Sequence, residues 1–244
     1  MARIDDLLTA ALKTLPSKPP DTALPPEKKR YSELMSAAIA LAFGEELRAR
    51  GMPEARPSGP GEVGGSGAER RLAGGIGAKK VDVTWATEES GLLLGISVKT
   101  ISFRDRATRN FQKNLTNRRG DMLIEAVTLH RRFPYAVLMG LLFLDKDART
   151  DGTPKRRSTF DNAFPRLRLF TGRSDPAGRD EQFERLYLLL VDANPFNPVV
   201  EAYHVSDPST RVALDDMMAQ AIELVAERNF DLYEEDKAGN IRKV

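Results

Sequence analysis

The chain has 244 residues, 41% hydrophobic and 30% charged, the proportions of a soluble globular protein with one domain, or one domain and a small extension. It has no cysteine and only two histidines, which excludes disulfides, thiolate metal sites and a zinc site built on several histidines, and leaves a Ser-His-Asp triad poorly supported. No apolar run approaches the ~18 residues of a membrane span, the N-terminus lacks a signal-peptide core, and a cysteine-free chain fits the cytoplasm.

Ile4, Leu7, Leu8, Ala11, Leu12 and Leu15 recur at helical spacing, and Pro16, Pro19, Pro20, Pro25 and Pro26 follow. Residues 1–30 therefore read as an N-terminal helix and a Pro-rich linker, and 31–244 as a single domain. Tyr31 to Arg50 is the first long helix, stopped by Gly51. On it, Glu33 shares the phase of Ala37, Ala40 and Gly44, a small-residue face that permits close approach to a sheet. Residues 51–77 hold nine Gly and three Pro, which predicts a long loop without regular structure. Its Gly74-Gly75-Ile76-Gly77 fails the phosphate-loop pattern, because no Gly-Lys dipeptide occurs there.

Lys79 to Thr100 reads as a hairpin: Val81 and Val83 alternate with polar residues, Glu89-Ser90-Gly91 turns the chain, and an apolar run from Leu92 ends in Ser97-Val98-Lys99. Ser97 and Lys99 share one side of their strand, and Asp82 lies near them on its neighbour. A helix is expected from about Asn110 to Arg132, with a break or kink at Gly120. Asp121 and Glu125 stand one turn apart on it, and salt bridging with Arg118 or Arg119 is their expected fate. Tyr135 to Leu144 reads as a buried central strand, Phe160 to Phe170 as a helix broken at Pro165, and Leu186–Val191 and Val199–Val205 as strands. A helix from Asp207 to Arg228, capped by Ser206 or Asp207, carries an apolar stripe whose default is core packing and whose second use is a dimer contact. Asp231 to Asp236 reads as a solvated acidic tail. The fold class is α/β, with a mixed sheet of four to six strands flanked by helices.

The net charge is only +2, but it is unevenly spread. Seven basic residues and one acid lie between Lys99 and Arg119, and six and one between Lys155 and Arg173. A basic surface beside a carboxylate and a lysine suits a polyanionic substrate, with Lys80, Arg104, Arg106, Arg109, Lys113, Asn114, Asn117, Arg118 and Arg119 as candidate nucleic-acid contacts.

The hairpin resembles the core of the PD-(D/E)XK nucleases, the superfamily of many restriction endonucleases, over roughly residues 31–145. Asp82 matches the family's Asp and Lys99 the Lys of its triplet, while Val81 replaces the frequent Pro and Ser97 replaces the acid. The resemblance implies a restriction endonuclease-like fold and Mg²⁺-dependent hydrolysis of double-stranded DNA by a homodimer, of restriction or phage-defence type. Asp82 would bind the metal, Lys99 would act on the attacking water and the developing phosphate charge, and Ser97 would reach the metal through water. The missing carboxylate would come from the preceding helix, from Glu33 or else Glu46. The rivals are a nuclease fold that binds nucleic acid without cutting it, for which Ser97 speaks, and a scaffold that assembles through its terminal helices.

Overall fold

The computed structural model describes residues 2–58 and 70–244. Helix α1 (Arg3–Lys13) buries Ile4, Leu8 and Leu12 against α2 (Pro25–Ala49). Helix α2 starts six residues earlier than the sequence suggests. Pro25 and Pro26 occupy its first turn, where a missing N–H costs nothing, so these two prolines open the helix and do not belong to the linker. Its buried stripe includes Tyr31, Met35, Ile39, Phe43 and Leu47.

The Gly-rich stretch is not wholly irregular. Strand β1 (Arg70–Ala73) pairs antiparallel with β2 (Ala78–Val81), turning through Gly74-Gly75-Ile76-Gly77; residues 59–69 of the expected loop lie outside the described residues. The chain bends at Asp82 and continues as β3 (Val83–Thr87), which returns through a tight turn into β4 (Gly91–Ile101). Gly91 takes φ 69°, the left-handed region that glycine enters without penalty. The hairpin is thus present, with Asp82 at the break between two short strands.

Helix α3 (Gln112–His130) follows and runs unbroken through Gly120, against expectation. Space around that glycine is open, so nothing there forces a kink. Then come β5 (Val137–Asp145), α4 (Thr159–Leu167), β6 (Arg185–Asp192), β7 (Val199–His204) and the two-residue β8 (Arg211–Val212). Helix α4 continues two residues past Pro165 into a 3₁₀ turn at Arg168–Phe170. Helix α5 (Leu214–Arg228) begins seven residues later than expected. Asp207 instead accepts bonds from the Ser209 N–H (3.0 Å) and hydroxyl (2.6 Å), so its side chain closes a local turn and caps no helix. Near the C-terminus β9 (Tyr233–Glu235) pairs with β10 (Ile241–Lys243), so the acidic segment is partly ordered, with Tyr233 buried edge-on against Trp85. Among the described residues no helix is long and apolar enough to cross a membrane.

The six-stranded sheet has the order β3-β4-β5-β6-β7-β8, with β4, β5 and β6 parallel and the outer pairs antiparallel. The three parallel strands are buried on both faces, as such strands must be when helices cover both sides. Ile96 and Val98, Met139 and Leu141, and Tyr187 and Leu189 face α1, α2 and α5. Leu138 and Leu142, and Leu186 and Leu188, face α3 and α4. The stripe of α5, Met217, Met218, Ala221, Ile222 and Val225, is spent on the first of these cores.

Two buried ion clusters bind the layers. Glu46 of α2 accepts from Arg3 of α1 (2.8 Å) and from Arg50 (2.6 Å), and Arg50 also pairs with Asp215 of α5. Glu184, just before β6, accepts from the Leu138 N–H (2.7 Å), His130 Nε2 (3.2 Å), Arg173 Nη1 (3.1 Å) and Arg228 Nη1 (2.8 Å). These partners come from the ends of α3 and α5, the start of β5 and, for Arg173, the segment between α4 and β6. Burial alone would raise the Glu184 pKa, but the His130 ring, Arg228 and the Leu138 N–H outweigh it and hold the carboxyl below its usual range. A lowered folded-state pKa stabilises the fold above the unfolded value of about 4.3, and that contribution is lost as pH falls through the lowered value. Glu184→Gln is expected to cost about 3–5 kcal/mol at neutral pH, because it strands two buried guanidinium groups. It should also flatten the acid-side fall in melting temperature relative to wild type, as read by thermal melts between pH 3 and 7.

Candidate active site

The site lies where β4 outruns β3. Val83 pairs with Ile96, and beyond that point β4 has no strand on this edge. The exposed edge is met by a side chain: Asp82 Oδ2 accepts the Val98 N–H at 2.7 Å. The bend at Asp82 therefore does the pairing work of a strand residue and holds the carboxylate against β4.

Along β4 the side chains alternate. Leu94, Ile96 and Val98 enter the α2 core, so Ser97, Lys99 and Ile101 face α3. Opposite Ser97 in β5 stands Gly140, and a Cβ there would lie 2.7 Å from the Met122 methyl of α3 and collide with Leu186. That glycine lets α3 lie close to the sheet. One turn after Met122, Glu125 points inward and is 2% exposed.

Lys99 Nζ is 3.1 Å from Asp82 Oδ2 and 3.2 Å from Glu125 Oε2. The ammonium thus joins two carboxylates from different elements in a largely buried position, its side chain 14% exposed. Burial works to lower the Lys99 pKa, but Glu125 and Asp82 outweigh it and hold it above the ordinary lysine value. Burial pushes the Glu125 carboxyl up, Lys99 offsets part of that, and the Asp82 charge adds to it. The Ser97 hydroxyl faces the same carboxylate. Ser97 Oγ and Glu125 Oε1 are buried and close no well-formed hydrogen bond, although the hydroxyl is near enough to the carboxylate to work against the rise of its pKa. Among the described residues eight other buried side-chain atoms also lack a partner, so it is the two carboxylates beside these oxygens, more than the missing bonds, that suit the place to a further cation or donor.

Asp82 and Lys99 open onto a cleft of about 1200 Å³, and Glu125 and Ser97 lie buried behind them, outside its lining. Its walls are the first half of α2, the end of β2, the loop from Phe103 to Ala107 and the first turns of α3. Eight basic side chains line it (Lys28, Lys29, Lys80, Lys99, Arg104, Arg106, Lys113, Arg118) against the acids Glu33, Asp82 and Asp105. Several of the cations have local partners: Arg104 with Asp147 (2.9 Å), Lys113 with Asp105 (2.8 Å), Arg118 with Asp121 (3.3 Å) and Arg106 with the Thr22 carbonyl (2.8 Å). These pairs are partly or largely exposed and weak, so each cation can exchange its partner for a phosphate at small cost.

The sequence-derived candidates divide accordingly. Asp82, Ser97 and Lys99 do meet. Lys80, Arg104, Arg106, Lys113, Asn114 and Arg118 line the cleft, whereas Arg109 and Asn117 are exposed outside its walls and Arg119 lies over the Phe170 ring. Glu33 lines the cleft but is 65% exposed, with Lys29 as its partner at 3.7 Å. The small-residue face does make a close approach, but at its far end, where Gly44 meets Pro57. Glu46 is no part of the site, since Arg3 and Arg50 occupy both its oxygens. The carboxylate beside Asp82 is Glu125, whose expected surface salt bridge falls to Asp121 alone. Its phase was the signal: Glu125 lies three residues after Met122 and four before Leu129, within the apolar stripe of α3.

Two carboxylates and a hydroxyl fall short of a closed metal cage, and among the described residues no group of three or more His, Cys, Asp or Glu side chains assembles one. The set does fit Mg²⁺, a hard cation that takes one or two protein carboxylates and completes its shell with water and substrate phosphate. No protein-family model matches the chain, and no characterised protein or solved structure matches it either.

Glu125→Gln keeps the shape and removes one charge. Calorimetric titration with Ca²⁺ or Mn²⁺ in the presence of duplex DNA should show cation affinity falling by about tenfold or more, by the loss of one of two carboxylate ligands. Asp121→Asn, one turn away on the outer face, should leave it unchanged.

Proposed function

We propose that the protein is a Mg²⁺-dependent endonuclease of restriction or phage-defence type that hydrolyses phosphodiester bonds in double-stranded DNA. The observation that carries this reading is the Asp82–Lys99–Glu125 cluster, whose Asp82 and Lys99 line the foot of a basic cleft with Glu125 and the Ser97 hydroxyl buried behind them. Carboxylates alone would repel a polyanion; the lysines and arginines of the cleft rim reverse that and draw the backbone in.

In this reading Asp82 and Glu125 hold the cation, and the Ser97 hydroxyl orients one of its waters. Bound there, Mg²⁺ would supply Lewis acidity toward a phosphate oxygen and lower the pKa of a water. The Val98 N–H fixes the Asp82 carboxylate, so the ligand does not have to be ordered during reaction. Lys99 stands within reach of both carboxylates and, turned to the phosphate, stabilises charge that develops on it. Lys113, Asn114 and Arg118 project from the start of α3 into the cleft and position the backbone. A homodimer would present two such clefts, one for each strand.

Incubating plasmid with the protein and Mg²⁺ should yield linear or nicked product, with none in EDTA. Lys99→Ala should abolish cleavage and retain most DNA affinity, because affinity comes from many backbone contacts. A mobility shift without cleavage under any divalent cation would instead favour a DNA-binding protein that does not cut. In a second measurement, replacing Lys113 and Arg118 with alanine should flatten the slope of log affinity against log salt by about one to two units. An unchanged slope would remove these side chains from the phosphate path.

A further inference from the structure

The ammonium of Lys99 sits on the same two oxygen-bearing groups that the cation would need. It touches Asp82 Oδ2 and Glu125 Oε2 at 3.1 and 3.2 Å, while Glu125 Oε1 and the nearby Ser97 Oγ receive nothing from it. A cation joining both carboxylates and a lysine joining both carboxylates are alternatives for one place. Each positive charge there raises the cost of adding the other, and the effect is large because the group is mostly removed from water.

Resting on the nuclease reading of the site, we propose that Lys99 is its resident counter-ion. Its charge balances Asp82 and Glu125 while no divalent cation is present and keeps the affinity for one low. The site then loads in order, polyanion before metal. A phosphate entering the cleft adds negative charge and offers Lys99 a new partner, which frees the two carboxylates for the cation. Such ordering confines a loaded site to protein that already holds nucleic acid. Glu33 and Asp105, the other acids of the cleft, are paired with Lys29 and Lys113 and compete for neither role.

The probe is Ca²⁺, titrated calorimetrically into the full chain with and without a short DNA duplex. Wild type should bind Ca²⁺ weakly alone and about tenfold or more tighter with the duplex present. Lys99→Met should bind Ca²⁺ without DNA at least about tenfold tighter than wild type, and the duplex should add little. Lys99→Gln, which keeps an N–H donor without the charge, should behave likewise. Ca²⁺ should also raise the melting temperature of both variants more than that of wild type, by linkage. The proposal is overturned if both variants bind Ca²⁺ no tighter than wild type, or if both lose their fold and Ca²⁺ does not restore it. The two readings fail separately. A wild type that cleaves plasmid while its variants gain no Ca²⁺ affinity keeps the nuclease and removes the counter-ion role. Variants that gain affinity beside a wild type that never cleaves do the reverse.

Discussion

The parallel pairing of β4 with β5 governs where everything else in the site can be. Parallel neighbours cannot be joined by a tight turn, so the chain must leave the end of β4, cross one face of the sheet and re-enter at the start of β5. Helix α3 is that crossing. The face it covers receives alternate residues of β4, namely Ser97, Lys99 and Ile101, and the residue that α3 lowers onto Lys99 is Glu125. Gly140 sets how closely the helix lies, and the early end of β3 leaves the Val98 N–H for Asp82. Three groups distant in sequence therefore meet because of one strand order.

Among the described residues two deeply buried glutamates lie on this side of the sheet, and they are treated differently. Glu184 receives four donors, from main chain, imidazole and two guanidinium groups, and both of its oxygens are spent. A carboxylate so fully met suits a structural ion cluster, since a buried charge short of partners costs more than it returns. Glu125 receives one ammonium on one oxygen, and its other oxygen and the neighbouring hydroxyl are left over. The contrast is one of the two carboxylates, not of whole clusters, since Arg173 Nε and Arg228 Nε beside Glu184 also lack a partner. The perturbed ionisation of Glu125 and Lys99 points to the same place, but the geometry makes the stronger argument, because structural clusters perturb ionisation just as much.

Strong local signals made most of the fold legible. The alternation of Val81 and Val83, the turn before Gly91 and the apolar run of β5 are read correctly because period and turn chemistry agree there. Boundaries slip where a residue type has two uses. Pro25 and Pro26 break a helix interior but open one equally well, and Asp207 caps helices but also closes turns. The composition of 51–77 hides the short hairpin partner at Arg70–Ala73, since glycine content says nothing about the residues between glycines. At the site, Asp82 and Lys99 are found through a motif, and Glu125 is missed because charge pairing at helical spacing is the usual fate of such a residue. Glu33 is favoured on a small-residue face without knowing which end of that face meets the protein. Only tertiary packing distinguishes the two glutamates: Glu125 is 2% exposed, and the Glu33 side chain 65%.

The serine at 97 follows from the position of Glu125. With both carboxylates ionised, Asp82, Lys99 and Glu125 would together carry one net negative charge in a mostly buried volume. An acidic side chain at 97, on the same face of β4 as Lys99 and beside Glu125, would make that two, with a single ammonium to balance three carboxylates. Like charges so close cannot all remain ionised, and the third would stay protonated and contribute little to holding a cation. With the acid on α3 in place of the strand, a hydroxyl at 97 keeps an oxygen directed at the same point without the added charge. The hydroxyl at Ser97 and the inward turn of Glu125 are in this sense compatible choices, made on two elements that the crossover brings together.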